Sequence, residues 1–134
     1  MSSTSSASPV KFSSTQLHTL RDRVNGRVFV PGDDGYDIAR QTWNVTTFDQ
    51  HPAIVVMPST AADVTVAVGF ARDHNLSIAV QGGGHGHPHP ANDALLVNFA
   101  SMTGVHVTAG AAASNPKGRS GAAGTARAEA GAKW

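Results

Sequence analysis

Hydrophobic residues near the start of the chain fall at helical spacing. In residues 13–26 they recur every three or four positions and would lie on one face of a helix: Leu17, Leu20 and Val24. Ser13 and Gln16 have the spacing of a capping box, and Gly26 is a typical stop signal. The pattern predicts a short helix.

The middle of the chain predicts a strand, a helix and a second strand. Residues 53–58 form a continuous apolar run closed by a proline, which is typical of a buried strand. Ser59 or Thr60 would cap a helix that stops at Asn75. Its inward face would carry four apolar residues, Val64, Ala67, Val68 and Ala71. Residues 76–80 then predict a second buried strand, so that the unit forms a βαβ crossover.

Weaker patterns flank this unit. Residues 27–37 predict a brief extended piece with a Pro-Gly-Asp-Asp-Gly turn. Residues 36–44 predict one or two helical turns, with Ile38 and Trp43 facing inward. Three further short strands are predicted, the first two joined by a tight connection, at residues 94–102, 104–108 and 125–134. We therefore expect an α+β fold with a small parallel βαβ sheet plus further short strands.

The two ends of the chain differ from its middle. Residues 1–12 are rich in Ser, Thr and Ala and predict a disordered leader, without the charged start and apolar centre of a secretory signal. Residues 110–123, mostly Ala, Gly and Ser, predict a flexible inserted loop. The alternating run that follows stops at Trp134 as if a strand were interrupted. We therefore expect residues 13–134 to be a truncated part of a longer domain.

Composition argues against several classes of function. Ten Lys and Arg against nine Asp and Glu give a net charge of +1, so charge gives no reason to expect binding to nucleic acid or to an anionic membrane. No apolar run is long enough to span a bilayer. Without cysteine the chain has no disulfide, thiolate metal site or cysteine nucleophile. Because this agrees with a reducing compartment, we expect a cytoplasmic protein.

Candidate chemistry is concentrated in residues 79–93, AVQGGGHGHPHPAND. A metal site is one hypothesis, because His85, His87 and His89 alternate. The intervening prolines disfavour the strand that would align these rings, so only weak, adventitious binding of nickel or zinc is expected. A Rossmann dinucleotide fingerprint is a second hypothesis, but prolines occupy the place of the required helix. Three glycines after a strand can still direct backbone N–H groups at phosphate oxygens, and an exposed loop without a ligand is the plainest alternative.

The order of the elements and three motifs resemble the FAD-linked oxidases whose flavin-binding domain is of the p-cresol methylhydroxylase and vanillyl-alcohol oxidase type. The motifs are PGDDGYDIAR at residues 31–40, PSTAADV at residues 58–64 and GGGH at residues 82–85. The likeness extends from about Leu17 to Trp134, apart from the inserted loop, and is greatest to the berberine-bridge-enzyme-like branch. It implies the N-terminal lobe of an FAD-binding domain of this type.

The resemblance also assigns site residues. It implies that the FAD pyrophosphate is lined by Gln81, Gly82, Gly83, Gly84 and Gly86. It implies that His85 bonds covalently to the methyl carbon on the dimethylbenzene ring of the flavin, and a second bond through cysteine is impossible here. The sequence departs from the family at three positions, where arginine, aspartate and serine are frequent: Gln81, Asn98 and Ala100. These departures reduce charge and polar contacts near the phosphates.

The function implied by the resemblance is that of a flavin-dependent oxidoreductase. A small-molecule substrate of alcohol-like or related C–H type would transfer hydride to FAD, and dioxygen would reoxidise the flavin. Since the resemblance places the substrate-binding region elsewhere, no catalytic residue is predicted in this chain. Two alternatives stay open: a truncated, non-catalytic remnant without cofactor, and a His-rich metal-binding module.

Overall fold

The computed structural model of the protein describes residues 11–86, 89–110 and 124–133. The α-helices are α1 (Ser14–Arg23), α2 (Tyr36–Ala39) and α3 (Ala61–Asp73), and one 3-10 helix covers Phe99–Ser101. The strands are β1 (Arg27–Phe29), β2 (Ile54–Met57), β3 (Ile78–Gln81), β4 (Leu95–Asn98), β5 (Val105–Ala109) and β6 (Gly124–Ala128). No helix in these ranges is long and apolar enough to cross a membrane.

Helices α1 and α3 begin where their capping signals predicted. Ser13 Oγ accepts a hydrogen bond from the backbone N–H of Gln16, whose side chain accepts one from the N–H of Ser13. Thr60 and Asp63 form the same reciprocal pair at the start of α3. Asn75 adopts a φ of 52°, the left-handed conformation in which asparagine often ends a helix.

The main sheet is mixed, with the strand order β1-β2-β4-β3. Strands β2, β4 and β3 are parallel, whereas β1 is antiparallel to β2. The βαβ crossover is therefore confirmed, with β4 inserted between its two strands. Every residue of β2 and β4 is buried. The arrangement confirms the predicted α+β class with a small parallel sheet.

The prediction that the second strand of the crossover is buried was wrong. Strand β3 lies at the sheet edge, with 43% of Ile78 and 66% of Val80 exposed. An apolar run predicts a strand but does not predict its position in the sheet. The later strand β4 occupies the central place next to β2. The local pattern of hydrophobic residues does not indicate which strands pair over long range.

Helix α3 covers one face of the sheet. Ala67 and Ala71 are completely buried in a cluster that includes Leu20 of α1 and Leu95 of β4. Val68, predicted to face inward with them, is 45% exposed because it lies at the side of the buried stripe. The small alanines let α3 lie close to the sheet.

Helix α2 packs on the opposite face and has one turn, the lower limit of the prediction. Tyr36 and Ala39 are buried in a second cluster with Val55 and neighbouring apolar residues. The expectation that Ile38 and Trp43 face inward was wrong, since they are 77% and 68% exposed. A four-residue helix has too few turns for apolar spacing to identify its inward face.

Strands β5 and β6 form a separate antiparallel ribbon that is exposed throughout. The three later strands are confirmed, and the first of them, β4, pairs in the main sheet. Most of the predicted leader, residues 1–10, and most of the predicted loop, residues 111–123, lie outside the described residues. Phe12, at the end of that leader segment, makes an edge contact with Phe70 of α3.

Candidate functional site

The glycine-histidine loop begins at the carboxyl edge of the parallel strands. Gln81 ends β3 and lies beside Asn98, the last residue of β4. Ligands of parallel α/β sheets bind beyond this edge. The first two glycines of the loop, Gly82 and Gly83, border a cleft there with a volume of about 430 Å³. This cleft, called the edge cleft below, is the candidate site.

The side chain of Gln81 is buried and fixes the start of the loop. Its amide nitrogen donates to the carbonyl oxygen of Gln41 at 2.8 Å, and its oxygen accepts from the side chain of Gln50 at 3.0 Å. Gln50 is also buried and donates to the carbonyl oxygen of Arg40 at 2.7 Å. Residue 81 therefore joins β3 to the segment that follows α2.

Asn98 makes a second connection between the sheet and α2. Its amide nitrogen donates to the carbonyl oxygen of Ala39 at 2.8 Å, and its oxygen accepts from the backbone N–H of Ala100 at 3.0 Å. An aspartate, which the resemblance leads one to expect at this position, would lack the donor to Ala39. Asn98 therefore forms a hydrogen bond to Ala39 that an aspartate could not form.

Gly82 and Gly83 present backbone to the edge cleft in different ways. A Cβ atom on Gly82 would come within 2.8 Å of the carbonyl oxygen of Ala130. A Cβ on Gly83 would meet nothing within 4 Å. Because Gly83 is exposed and has no side chain, a ligand can approach its backbone directly.

Gly84 docks the loop on the segment after α2. Its φ is 77°, a conformation that favours glycine, and a Cβ there would lie 3.1 Å from the backbone nitrogen of Trp43. Its carbonyl oxygen accepts a hydrogen bond from that same nitrogen at 3.0 Å. Glycine is therefore required at residue 84 by backbone geometry and close packing within the fold.

His85 is exposed and stacks on the indole of Trp43. The ring centroids are 4.9 Å apart and the planes meet at 28°. Gly86 is exposed, with open space where a Cβ would be. His87 lies outside the described residues, and His89 is exposed. Within the described ranges, no three His, Cys, Asp or Glu side chains gather as metal ligands would.

The edge cleft also contains residues that sequence reasoning missed. Arg27, Lys133 and Asp34 contribute charges to its lining. Neither cation forms an ion pair within the described part of the chain, so the cleft carries an excess positive charge. Arg27 and Lys133 are far apart in sequence, and no local motif joins them.

Thr42 and Trp43 line the same cleft. Thr42 is 6% exposed, and its hydroxyl has no hydrogen-bond partner among the described residues. A buried hydroxyl without a hydrogen-bond partner destabilises the fold, and this unpaired hydroxyl lies beside the cleft.

An ion-pair network holds the segment between α2 and β2. Arg40 pairs with Asp37 and Asp49, and it donates to the carbonyl oxygen of Gln50 at 2.8 Å. Hydrogen bonds to the two carboxylates raise the pKa of Arg40 above its ordinary value. The hydrogen bond from Arg40 lowers the pKa of Asp49. The guanidinium thus stays charged and holds the backbone of Gln50, whose side chain donates to Gln81.

Comparison with known proteins identifies relatives of this arrangement. Residues 52–134 match the profile of a family described as FAD binding domain. The chain is 31% identical over 99 residues to an FAD-linked oxidoreductase of Dictyostelium discoideum, covering 72% of this chain and 22% of that protein. It is 31% identical over 93 residues to (R)-6-hydroxynicotine oxidase of Paenarthrobacter nicotinovorans, covering 67% and 20%.

Two solved structures share the fold. The 6-hydroxy-D-nicotine oxidase of Arthrobacter nicotinovorans superimposes with a TM-score of 0.57 at 27% identity, over 62% of this chain and 18% of that one. The BBE-like 1 protein of Physcomitrella patens gives a TM-score of 0.58 at 25% identity, over 67% and 20%. The chain spans about a fifth of the length of these relatives.

Proposed function

The chain belongs to the FAD binding domain family, and from this premise we propose that its edge cleft holds the FAD pyrophosphate of a flavin-dependent oxidoreductase. The observation that carries the proposal is the open backbone of Gly83 at the carboxyl edge of the parallel strands. Without a Cβ at this residue, phosphate oxygens can reach main-chain N–H groups.

The residues of the cleft fit a diphosphate. Gly82 and Gly83 supply backbone, while Arg27 and Lys133 supply positive charge and form no ion pair with a described carboxylate. Lysine and arginine are the usual partners of phosphate oxygens. They would replace the charge that is lost by having Gln81 where arginine is common. Gln81 itself serves through its backbone, because its side chain is held by Gln41 and Gln50.

Gly84, His85 and Gly86 have separate roles in this proposal. Gly84 sets the direction of the loop through its positive φ and its bond to Trp43. Gly86 leaves the far side of the loop open to the ligand. His85, exposed between these two glycines, is the residue that attaches to the flavin.

The bound FAD would accept hydride from a small-molecule substrate of alcohol-like or related C–H type, with dioxygen as the final acceptor. The name of one relative, (R)-6-hydroxynicotine oxidase, supports this class of reaction. Cytoplasmic location, expected from the absence of cysteine, is part of the same proposal.

Two other functions predict different behaviour. A remnant without cofactor would purify colourless, and a histidine-rich metal module would bind zinc through its histidines. The intact glycine loop and the uncompensated cations of the edge cleft favour flavin over both.

The flavin content of the full-length protein tests the proposal. We expect about one FAD per chain, measured as the ratio of flavin to protein absorbance after purification with added FAD. After denaturation, colour that stays on the peptide containing His85 supports attachment there. Colour released entirely to the supernatant would limit the proposal to non-covalent binding, and a colourless protein would refute it.

A further inference from the structure

Trp43 has an exposure that packing within the described fold does not explain. The side chain is 68% exposed, although tryptophan is among the most hydrophobic residues and is usually well covered. Its indole lies against a single described ring, the imidazole of His85, at 4.9 Å and 28°. This near-parallel arrangement is a favourable geometry for two aromatic rings.

The main chain of Trp43 holds the same loop. Its N–H donates to the carbonyl oxygen of Gly84 at 3.0 Å, one residue before the stacked histidine. The turn that follows is fixed by Asn44, whose carbonyl oxygen accepts from the N–H of Phe48 at 3.1 Å and whose side chain accepts from Thr47 at 3.3 Å. Trp43 therefore lies in an ordered turn. Its backbone contacts Gly84 and its indole contacts His85, two adjacent residues of the loop.

His85 has little else to orient it. Glycines flank it on both sides, it belongs to no helix or strand, and its ring forms no hydrogen bond within the described part of the chain. A histidine in such a loop would otherwise change rotamer freely. Resting on the proposed flavin site, we infer that Trp43 is a positioning residue that holds the imidazole of His85 in the orientation needed for attachment to the flavin.

The attachment reaction explains why orientation matters. One bond forms between an imidazole nitrogen and the methyl carbon of the flavin, and the imidazole and the methyl group each lose one hydrogen. The two electrons and two protons released in this step leave the flavin reduced. Dioxygen then takes the two electrons and two protons and becomes hydrogen peroxide. The nitrogen lone pair must point at the methyl carbon for this bond to form. Stacking on Trp43 fixes the imidazole plane and leaves its edge free.

The test compares Trp43→Leu and Trp43→Phe in the full-length protein supplied with FAD in air. Two quantities are measured: total flavin per chain, and the rate at which flavin becomes resistant to release by denaturation. At saturating FAD, which removes any difference in affinity, we expect Trp43→Leu to attach the flavin about five- to tenfold more slowly, the range that loss of one aromatic stack would give. Trp43→Phe keeps a ring face and should restore most of the rate.

Val45→Ala is the matched control, because Val45 is 55% exposed two residues along the same segment and does not line the edge cleft. It should change neither quantity. A wild-type attachment rate in Trp43→Leu, or equal slowing in all three variants, would overturn the inference. So would loss of folding or of total flavin in Trp43→Leu, since the residue would then be structural or would bind the cofactor itself.

Failure of the proposed function has a different signature. A wild-type protein that binds FAD but never attaches it refutes positioning for attachment, while leaving the flavin site standing. A wild-type protein that binds no flavin refutes the site and the inference together. The total flavin of the wild type thus separates the two failures.

Discussion

The carboxylate of Asp63 accepts a hydrogen bond of 3.0 Å from the backbone N–H of Gly26, which joins the first turn of α3 to the connection between α1 and β1. Asp63 is 1% exposed and also accepts from the backbone N–H groups of Asn25 and Ser59, both at 2.9 Å. Gly26 has no room for a side chain, because a Cβ would lie 2.0 Å from the carbonyl oxygen of Met57. One buried carboxylate at the start of α3 therefore binds two backbone segments, residues 25–26 and the turn at Ser59.

Replacing Asp63 by asparagine should destabilise the fold. The new amide group would bring donors toward backbone N–H donors, and buried N–H groups would lose their acceptor. We expect Asp63→Asn to lower the free energy of unfolding by about 2–3 kcal/mol at neutral pH, measured by urea denaturation. Asp73→Asn is the control, since Asp73 is an exposed partner of Arg72 and should contribute under about 0.5 kcal/mol. Equal effects of the two changes would contradict this role.

The same carboxylate predicts an acid-dependent loss of stability. Burial alone would raise the pKa of Asp63, but hydrogen bonds from Asn25, Ser59 and Gly26 outweigh it and lower the pKa to about 2. Because the folded value lies below the unfolded value of 3.8, the stabilisation is complete above the unfolded value and is lost as pH falls through about 2. Its size is about 2 kcal/mol. The stability difference between wild type and Asp63→Asn should shrink over this window in urea titrations, and a constant difference would contradict the pKa.

Local signals in the sequence were enough to predict the helices but not their partners. The Ser13–Gln16 capping box and the Thr60 cap act within one turn, so local residues alone predicted where α1 and α3 begin. The bonds from Asp63 to Asn25 and Gly26 cross 38 and 37 residues. No local pattern marks Asp63 as the acceptor for such distant N–H groups.

The candidate site likewise contains some residues that the sequence identified and others that only the fold brings together. Contiguous glycines and a histidine mark the loop from Gln81 to Gly86 because the chain places them together. The other contributors to the edge cleft come from β1, from α2 with the turn before it and the segment after it, from the ends of β2 and β4, and from the residues after β6. Sheet pairing brings these segments together, and Trp43 in particular reaches the loop only because α2 ends at Ala39.

The buried amide of Gln81 should be important for stability. Leucine at this position would leave the carbonyl oxygen of Gln41 without its donor and remove the acceptor for the side chain of Gln50. We expect Gln81→Leu to lower the free energy of unfolding by about 1–3 kcal/mol in urea denaturation. Gln41→Leu is a matched control, because the exposed Gln41 contributes only its backbone carbonyl and should change stability by under about 0.5 kcal/mol. A neutral Gln81→Leu would mean that water replaces the network.

The cations of the edge cleft should act on FAD through charge. In a His85→Ala background, which keeps the flavin non-covalent, Lys133→Gln and Arg27→Gln should each weaken FAD binding by about three- to tenfold. The dependence of the dissociation constant on salt should also become shallower, because one screened attraction has been removed. Flavin fluorescence titrations at several salt concentrations measure both effects.

Arg72→Gln is the control for that pair of substitutions. Arg72 is an exposed arginine on α3 that pairs with Asp73 and does not line the edge cleft. Its replacement changes the net charge of the protein equally but should leave FAD affinity unchanged. Equal weakening in all three variants would mean that overall charge, rather than the cleft, attracts the diphosphate.

Replacing Gly83 by valine should block the approach of the ligand without affecting folding. A Cβ there meets no atom within 4 Å, and φ at this residue is outside the left-handed range, so the fold should tolerate the side chain. The same open space is where the pyrophosphate would lie against the backbone, and valine would fill it. We therefore expect Gly83→Val to keep its urea unfolding midpoint while its flavin-to-protein absorbance ratio falls about tenfold or more, a loss of about 1.4 kcal/mol or more in binding. Gly69→Val is the matched control, since Gly69 on α3 also has open space, and the joint change His87→Ala with His89→Ala should leave flavin loading intact. Full loading of Gly83→Val, together with loss of bound zinc in the histidine variant, would instead favour a metal-binding loop.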